Sequence, residues 1–302
     1  MIDALRTPED RFRDLAGWDH PPSYAEDLPG YEGLRAHYVD LGPRDAEHTY
    51  LLLHGEPTWA YLYRKMIPIF LDAGGRVVAP DFLGFGRSDK PVEESVYTFD
   101  FHRDFLLRFV ERLDLTGITL VVQDWGGLLG LTLPMDAGFA PRLRRLLAMN
   151  TGLAVGTSPG PGFQEWRNYA ATHPDLPVGG LLRRAVPELS DGEVAAYDAP
   201  FPDVTYKAGV RAFPKLVMTA PDMPGVEVSR AAEGFWAGWD GPSLLAAGAQ
   251  DPTLGVPAMR TLRRTVRGAP DVLVLPEAGH FIQEQGEVVA RAALAHFGSA
   301  SG

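Results

Sequence analysis

Ile118–Leu131 reads ITLVVQDWGGLLGL: a β-favouring run, Ile118 to Val122, passes through Gln123, Asp124, Trp125, Gly126 and Gly127 straight into an apolar stretch of helical character. A strand that is apolar throughout is buried on both faces, and its direct passage into a helix is the repeating unit of a parallel sheet. The two glycines allow a tight turn that thrusts one side chain out at the strand's end. That side chain is Asp124. Aspartate is also a good N-cap at such a turn, so the stretch alone leaves Asp124 as either a helix cap or a presented nucleophile.

The rhythm continues on both sides. Further strand-like runs lie at Thr49–Leu53 (TYLLL), Arg76–Ala79 (RVVA), Arg144–Met149 (RRLLAM), Ser243–Ala247 (SLLAA) and Val272–Leu275 (VLVL), with helical patterns such as Phe101–Leu113 between them. The expected fold class is α/β, a mostly parallel sheet flanked by helices, with ligands bound at the carboxyl ends of its strands. From Ala154 to Phe235 the rhythm stops. Proline and glycine punctuate short helical stretches there (FQEWRNYA, LLRRAV, GVRAFPKLV) and no strand is expected. The division follows: a core formed by residues 1–153 and 236–302, interrupted by a helical cap over 154–235 that is long enough to cover the sheet's active edge.

Composition narrows the function. The chain has 302 residues, a net charge of −11, 45% hydrophobic residues and no cysteine. An acidic surface repels phosphate backbones and anionic lipid, so neither nucleic acid nor membrane is an expected partner. No apolar run approaches the ~20 residues of a membrane helix, and the first residues lack the apolar centre of a secretion signal; a cytoplasmic location is the default expectation. Without cysteine there are no disulfides, thiolate metal sites or thiol nucleophiles. The eight histidines form no HExxH or similar ligand cluster, so no metal and no cofactor are expected.

Three more segments bear on Asp124. An ester-forming nucleophile needs a base, and the base needs an orienting acid. PEAGHFIQ, Pro276–Gln283, follows a strand and places His280 in a loop of small residues, where it reaches a cleft or merely lies on the surface. LLAAGAQDPTLG ends a strand at Asp251, either a carboxylate aimed at that histidine or the Asx-type turn common before proline. LLLHGEPTW, Leu51–Trp59, ends a strand in His54, Gly55, Glu56 and Pro57. Its backbone can aim an N–H at an oxyanion, with Trp125 supplying the other; the Glu56 side chain has no assigned part, and a plain turn is the alternative.

HGEPTW, PDFLGFGRSDKP (Pro80–Pro91), VVQDWGG, AGAQD and AGHFIQE together resemble the haloalkane dehalogenases of the α/β-hydrolase superfamily, over nearly the whole chain. The order nucleophile, acid, histidine is that of the superfamily. The resemblance implies an Asp124, Asp251 and His280 triad that hydrolyses a carbon–halogen bond to alcohol, halide and proton through an aspartyl alkyl ester. It implies two halide donors. Trp125 matches the first, and Trp166, three residues after Phe163, matches the cap donor of one subfamily; the same pair in a helix also serves simply to pack a cap onto a core. Asn150 stands where the other subfamily carries its acid. Phe163, Phe213, Pro214, Val217, Leu254, Leu128 and Phe281 fall where a pocket lining is expected, and they imply an apolar, rather confined cavity for a small haloalkane, halide ion and water. For assembly a monomer is the default expectation.

The nearest rival is an epoxide hydrolase, which uses the same Asp/His chemistry and protonates the leaving oxygen with cap tyrosines; Tyr169, Tyr197 and Tyr206 keep it open. A non-catalytic protein of the same fold is the rival from another class, although such proteins tend to lose a member of the triad.

Overall fold

The computed structural model describes residues 2–299. Eight strands form one sheet: β1 (Ser23–Ala25), β2 (Ala36–Leu41), β3 (Thr49–Leu53), β4 (Arg76–Pro80), β5 (Ile118–Gln123), β6 (Leu143–Met149), β7 (Ser243–Gly248) and β8 (Leu273–Leu275). Their order across the sheet is β8-β7-β6-β5-β3-β4-β2-β1. From β8 to β4 all neighbours are parallel, while β2 and β1 are added antiparallel. The six strands expected from the apolar runs are present, with ends shifted by a residue at most. β5 lies in the middle, with Leu120 opposite Leu51 of β3 and Leu146 of β6, and every one of its residues is buried.

β1 and β2 escape an apolar-run reading for a physical reason. β2 carries His37 and Asp40 among its apolar residues, and both are used structurally. His37 Nδ1 is 2.7 Å from Asp81 Oδ2, and Asp40 takes a bidentate pair from Arg76 of the neighbouring β4 at 2.7 and 2.8 Å. A short antiparallel ribbon, Ala4–Leu5 with Lys90–Pro91, lies outside the large sheet.

Between β6 and β7 the chain is helical among the described residues, with helices Pro161–Thr172, Val178–Ala185, Asp191–Asp198, Ala208–Leu216 and Val226–Gly238. The last of these runs through residue 235 and lies against the core, where Trp236 Nε1 donates to Leu131 O at 2.8 Å. The helix Asp191–Asp198 is tied down by a buried polar knot. Arg64 makes two 2.7 Å bonds to Glu284 and a third to Glu193 of that helix, and Tyr197 of the same helix donates to Glu284 at 2.5 Å. Among the described residues no helix is long and apolar enough to cross a membrane.

Candidate active site

Asp124 stands between the end of β5 and a short helix, Trp125–Gly130, with φ 49° and ψ −123°. A non-glycine residue rarely adopts that conformation, and the neighbours enforce it. A Cβ on Gly126 would lie 1.9 Å from Leu53 O, and one on Gly127 would lie 2.0 Å from Thr151 Oγ1, so the helix start can press onto β3 and the loop after β6 only with glycine at both places. The Asp124 side chain makes no capping bond to the helix. It points instead toward the loop after β3, where its Oδ1 accepts the Glu56 N–H at 2.9 Å. Burial raises the Asp124 pKa, against the pull of His280 and of the Trp125 and Glu56 backbone N–H groups.

His280 follows β8, and Asp251 follows β7. The His280 Nδ1 lies 2.8 Å from Asp251 Oδ2, and its Nε2 lies 3.7 Å from Asp124 Oδ2. Both sequence readings of Asp251 are realised at once. Its Oδ1 accepts the Thr253 and Leu254 N–H groups at 2.8 and 3.1 Å, the Asx turn, while Oδ2 faces the imidazole. Burial would raise the Asp251 pKa, but the charge and hydrogen bond of His280, with Asn150 and Thr253, hold it well below the usual carboxylate range. Burial would lower that of His280; the charge and hydrogen bond of Asp251, and then the charge of Asp124, outweigh it and push it up to about 9.

Two residues of the site carried no role in the sequence reading. Asn150 donates to Asp251 Oδ2 at 2.8 Å and accepts the Gly248 N–H at 2.8 Å, bracing the acid against β7. Gln123 has no exposure, and its Nε2 is 2.9 Å from His280 Nε2. The available signal was a polar residue closing an otherwise apolar strand beside Asp124. The Glu56 side chain is buried too. Burial and then the Asp124 charge push its pKa well above the carboxylate range, and among the described residues its Oε1 has no hydrogen-bond partner.

Asp124, His280, Asp251 and Glu56 form the floor of a cavity of about 530 Å³, with Gln123 and Asn150 behind them. Phe163, Pro214, Val217, Leu254, Leu128 and Phe281 line it, as do Trp125 and the half-buried Trp166. Neither indole N–H has a hydrogen-bond acceptor among the described residues. Phe213 is a correction. It is fully buried behind the site, its ring edge-on to Trp125 with centroids 4.8 Å apart, so it backs the indole and does not face the cavity. Residues between Gly152 and Pro159 and the helix Val256–Thr265, none of them among the expected lining, add a third wall that includes Thr261 and Thr265. None of Tyr169, Tyr197 and Tyr206 lines it. Among the described residues no group of His, Asp and Glu side chains is arranged to hold a metal ion.

Residues 51–287 match the family model of the alpha/beta hydrolase fold. The chain is 44% identical to a haloalkane dehalogenase of Psychrobacter cryohalolentis, with 95% of each chain covered. It is 46% identical to haloalkane dehalogenase 1 of Mycobacterium tuberculosis, with 94% of each covered. Among solved structures it is similar to the tetrameric haloalkane dehalogenase DpaA from Paraglaciecola agarilytica NO2, at a TM-score of 0.95 and 49% identity over 98% of this chain and 99% of that one. With relatives this similar over almost their entire lengths, the chain belongs to the haloalkane dehalogenases of the alpha/beta hydrolase fold.

Proposed function

We propose that this haloalkane dehalogenase works through an alkyl ester on Asp124, with His280 and Asp251 driving its hydrolysis and with Trp125 and Trp166 holding the halide. The observation that carries the reading is the line Asp251, His280, Asp124 on the floor of an apolar cavity, with 2.8 Å in its first gap and 3.7 Å in its second. The two carboxylate oxygens differ. Oδ1 is engaged by the Glu56 N–H, whereas Oδ2 has no hydrogen bond of 3.5 Å or less and is the oxygen free to attack carbon. An alkyl halide has no carbonyl, so a serine would make an ether that water does not readily cleave; a carboxylate makes an ester. The Oδ2–C bond forms as the carbon–halogen bond breaks, and the charge growing on the halide meets two uncharged indole N–H donors in a dry pocket.

Hydrolysis follows on the same atoms. Esterification removes the Asp124 charge, one of the influences that hold the His280 pKa up, so the imidazole loses its proton more readily and is free to accept one when a base is needed. Water gives its proton to Nε2 and its oxygen to the Asp124 carbonyl carbon, while Oδ1, already held by the Glu56 N–H, takes the negative charge beside the Trp125 N–H that also acts on this carboxylate. The acyl C–Oδ2 bond breaks, the alkyl group keeps Oδ2 and takes the proton held on Nε2 to leave as alcohol, and the second proton of the water, left on the restored carboxyl, goes to solvent. The helices between residues 154 and 235 act as the cap in this reading, and Trp166 with Asp251 supports the subfamily with a cap tryptophan and a late acid. The absence of tyrosine from the cavity lining favours dehalogenation over epoxide opening, since no phenol reaches a leaving alkoxide. In place of a monomer we adopt self-association, after the tetrameric Paraglaciecola relative; light scattering of the purified chain separates the two.

One turnover of a bromoalkane in ¹⁸O-water tests the chemistry. The label is expected in the peptide bearing Asp124, because water attacks the carboxyl carbon and one oxygen of the restored carboxylate comes from solvent. Label found only in the alcohol would mean direct displacement by water and would end the ester reading.

A further inference from the structure

The ester chemistry leaves Gln123 without a part, although its side chain is buried against the base. Its amide nitrogen lies 3.2 Å from the carbonyl oxygen of His280 and 2.9 Å from His280 Nε2. The first contact orients the amide, since a nitrogen donates to a carbonyl and an oxygen in its place would oppose it. The same NH2 group therefore also directs an N–H at Nε2, which can accept only while it is unprotonated. On the far side of the ring Nδ1 faces Asp251 Oδ2 at 2.8 Å and donates to it. That is the tautomer of a general base.

The groups around the ring pull in opposite directions. Asp251 and Asp124 favour the imidazolium. Glu56, the other titratable group of the floor, bears on Asp124 and is itself driven toward the neutral acid. Gln123 pulls against both aspartates, because a proton on Nε2 would meet an amide N–H. We propose that Gln123 is a positioning residue for the hydrolytic half of the reaction: its carboxamide clamps His280 by ring and carbonyl and keeps Nε2 a proton acceptor until water takes over the lone pair. The bond to the His280 carbonyl holds the amide in place during that exchange. Once Nε2 has taken the proton of water, the opposing N–H disfavours its retention and the proton passes to the leaving alkyl oxygen.

The inference rests on the ester reading, and single turnovers of a bromoalkane keep the two apart. Bromide release follows ester formation, and alcohol release follows hydrolysis. In full-length Gln123→Met, similar in volume and without a donor, the bromide burst is expected to stay within about threefold of wild type. The acid limb of hydrolysis is expected to move up by about one pH unit, tenfold in the protonation equilibrium. Gln123→Glu is expected to move it further, its carboxylate favouring the imidazolium. Folded variants whose acid limb coincides with that of wild type would overturn the proposal whatever their rates, because a purely structural role slows turnover without displacing a midpoint. Should neither variant fold, ¹⁵N spectra of histidine-labelled wild type above the His280 pKa, at pH 10, decide: a neutral ring protonated on Nδ1 whose Nε2 accepts a hydrogen bond supports the proposal, and an Nε2 that accepts none overturns it. A wild type that releases bromide and alcohol together with no ester on Asp124 would remove the ester reading, and this inference with it.

Discussion

Trp166 and Trp125 have the same chemistry and different support. The indole of Trp125 is buried against Phe213, whereas Trp166 is half-buried on a cap helix with Tyr169 beside it at 6.2 Å between ring centroids. Changing Trp166 to phenylalanine removes an N–H without removing a ring, and a half-buried position at the cavity wall tolerates the small loss of volume. A hydrogen bond to a charged group contributes about 1.5–3 kcal/mol, so Trp166→Phe is expected to weaken halide binding about 10- to 100-fold. The melting temperature is expected to stay within a few degrees, since the side chain is not a core residue. Halide titration of protein fluorescence together with thermal melting checks both; unchanged affinity would mean that the second donor lies elsewhere.

The helix Asp191–Asp198 shows how an element of the cap is held. Its N-terminus carries a capping box, Ser190 with Glu193, which satisfies end groups that would otherwise lack partners. Its inner face then meets charge. Arg64 and Glu284 have side chains only 4% exposed, so their pairing escapes the solvent screening that makes surface ion pairs weak. Removing Glu284 leaves the buried Arg64 with Glu193, at one end of its guanidinium, as its remaining carboxylate partner. Glu284→Ala is therefore expected to cost about 3–5 kcal/mol in chemical denaturation. Tyr197→Phe, which removes one hydrogen bond to the carboxylate, is expected to cost about 1.5–3 kcal/mol. Glu284 sits four residues after His280, so the same knot steadies the loop of the base, and Glu284→Ala is expected to slow alcohol release as well. Equal, small losses from both substitutions would show the knot to be solvated and weak.

The cavity is assembled from parts far apart in the chain: strand ends for the floor, cap helices for the roof, and Gly152–Pro159 with the helix Val256–Thr265 for the third wall. At about 530 Å³ it has room beyond the reacting carbon for a chain of several methylenes. Each methylene moved from water into such a lining contributes about 0.8 kcal/mol, about fourfold in affinity. Across the series from ethyl to hexyl bromide, KM is expected to fall about fourfold per added carbon while the rate of ester formation changes little. Steady-state kinetics with single-turnover controls read both quantities, and a KM that stops falling at propyl would mean that the third wall is closed to substrate. The acidic surface plays no part in this selectivity, because the substrates are uncharged.

The apolar runs were enough to specify the sheet's parallel strands, since a segment buried on both faces must be apolar along its whole length, and this is visible without coordinates. Strand β2 was not visible, because its His37 and Asp40 are satisfied by partners on other elements, Asp81 and Arg76, that local pattern cannot supply, and the edge strand β1 is only three residues long. Asp124, His280 and Asp251 stood out in sequence because strand-to-loop junctions are written locally in glycine, proline and small residues. Their distances were not. That Asp251 closes a turn and faces the imidazole at once, that Asn150 braces it, that Gln123 faces the same ring and that Phe213 packs on Trp125 while staying out of the cavity all depend on side chains approaching across the sheet. A hydrogen bond between residues 157 positions apart, like that of Gln123 with His280, leaves no periodic trace in the chain. Residue type records what chemistry a position can perform; packing alone decides which neighbour it performs it with.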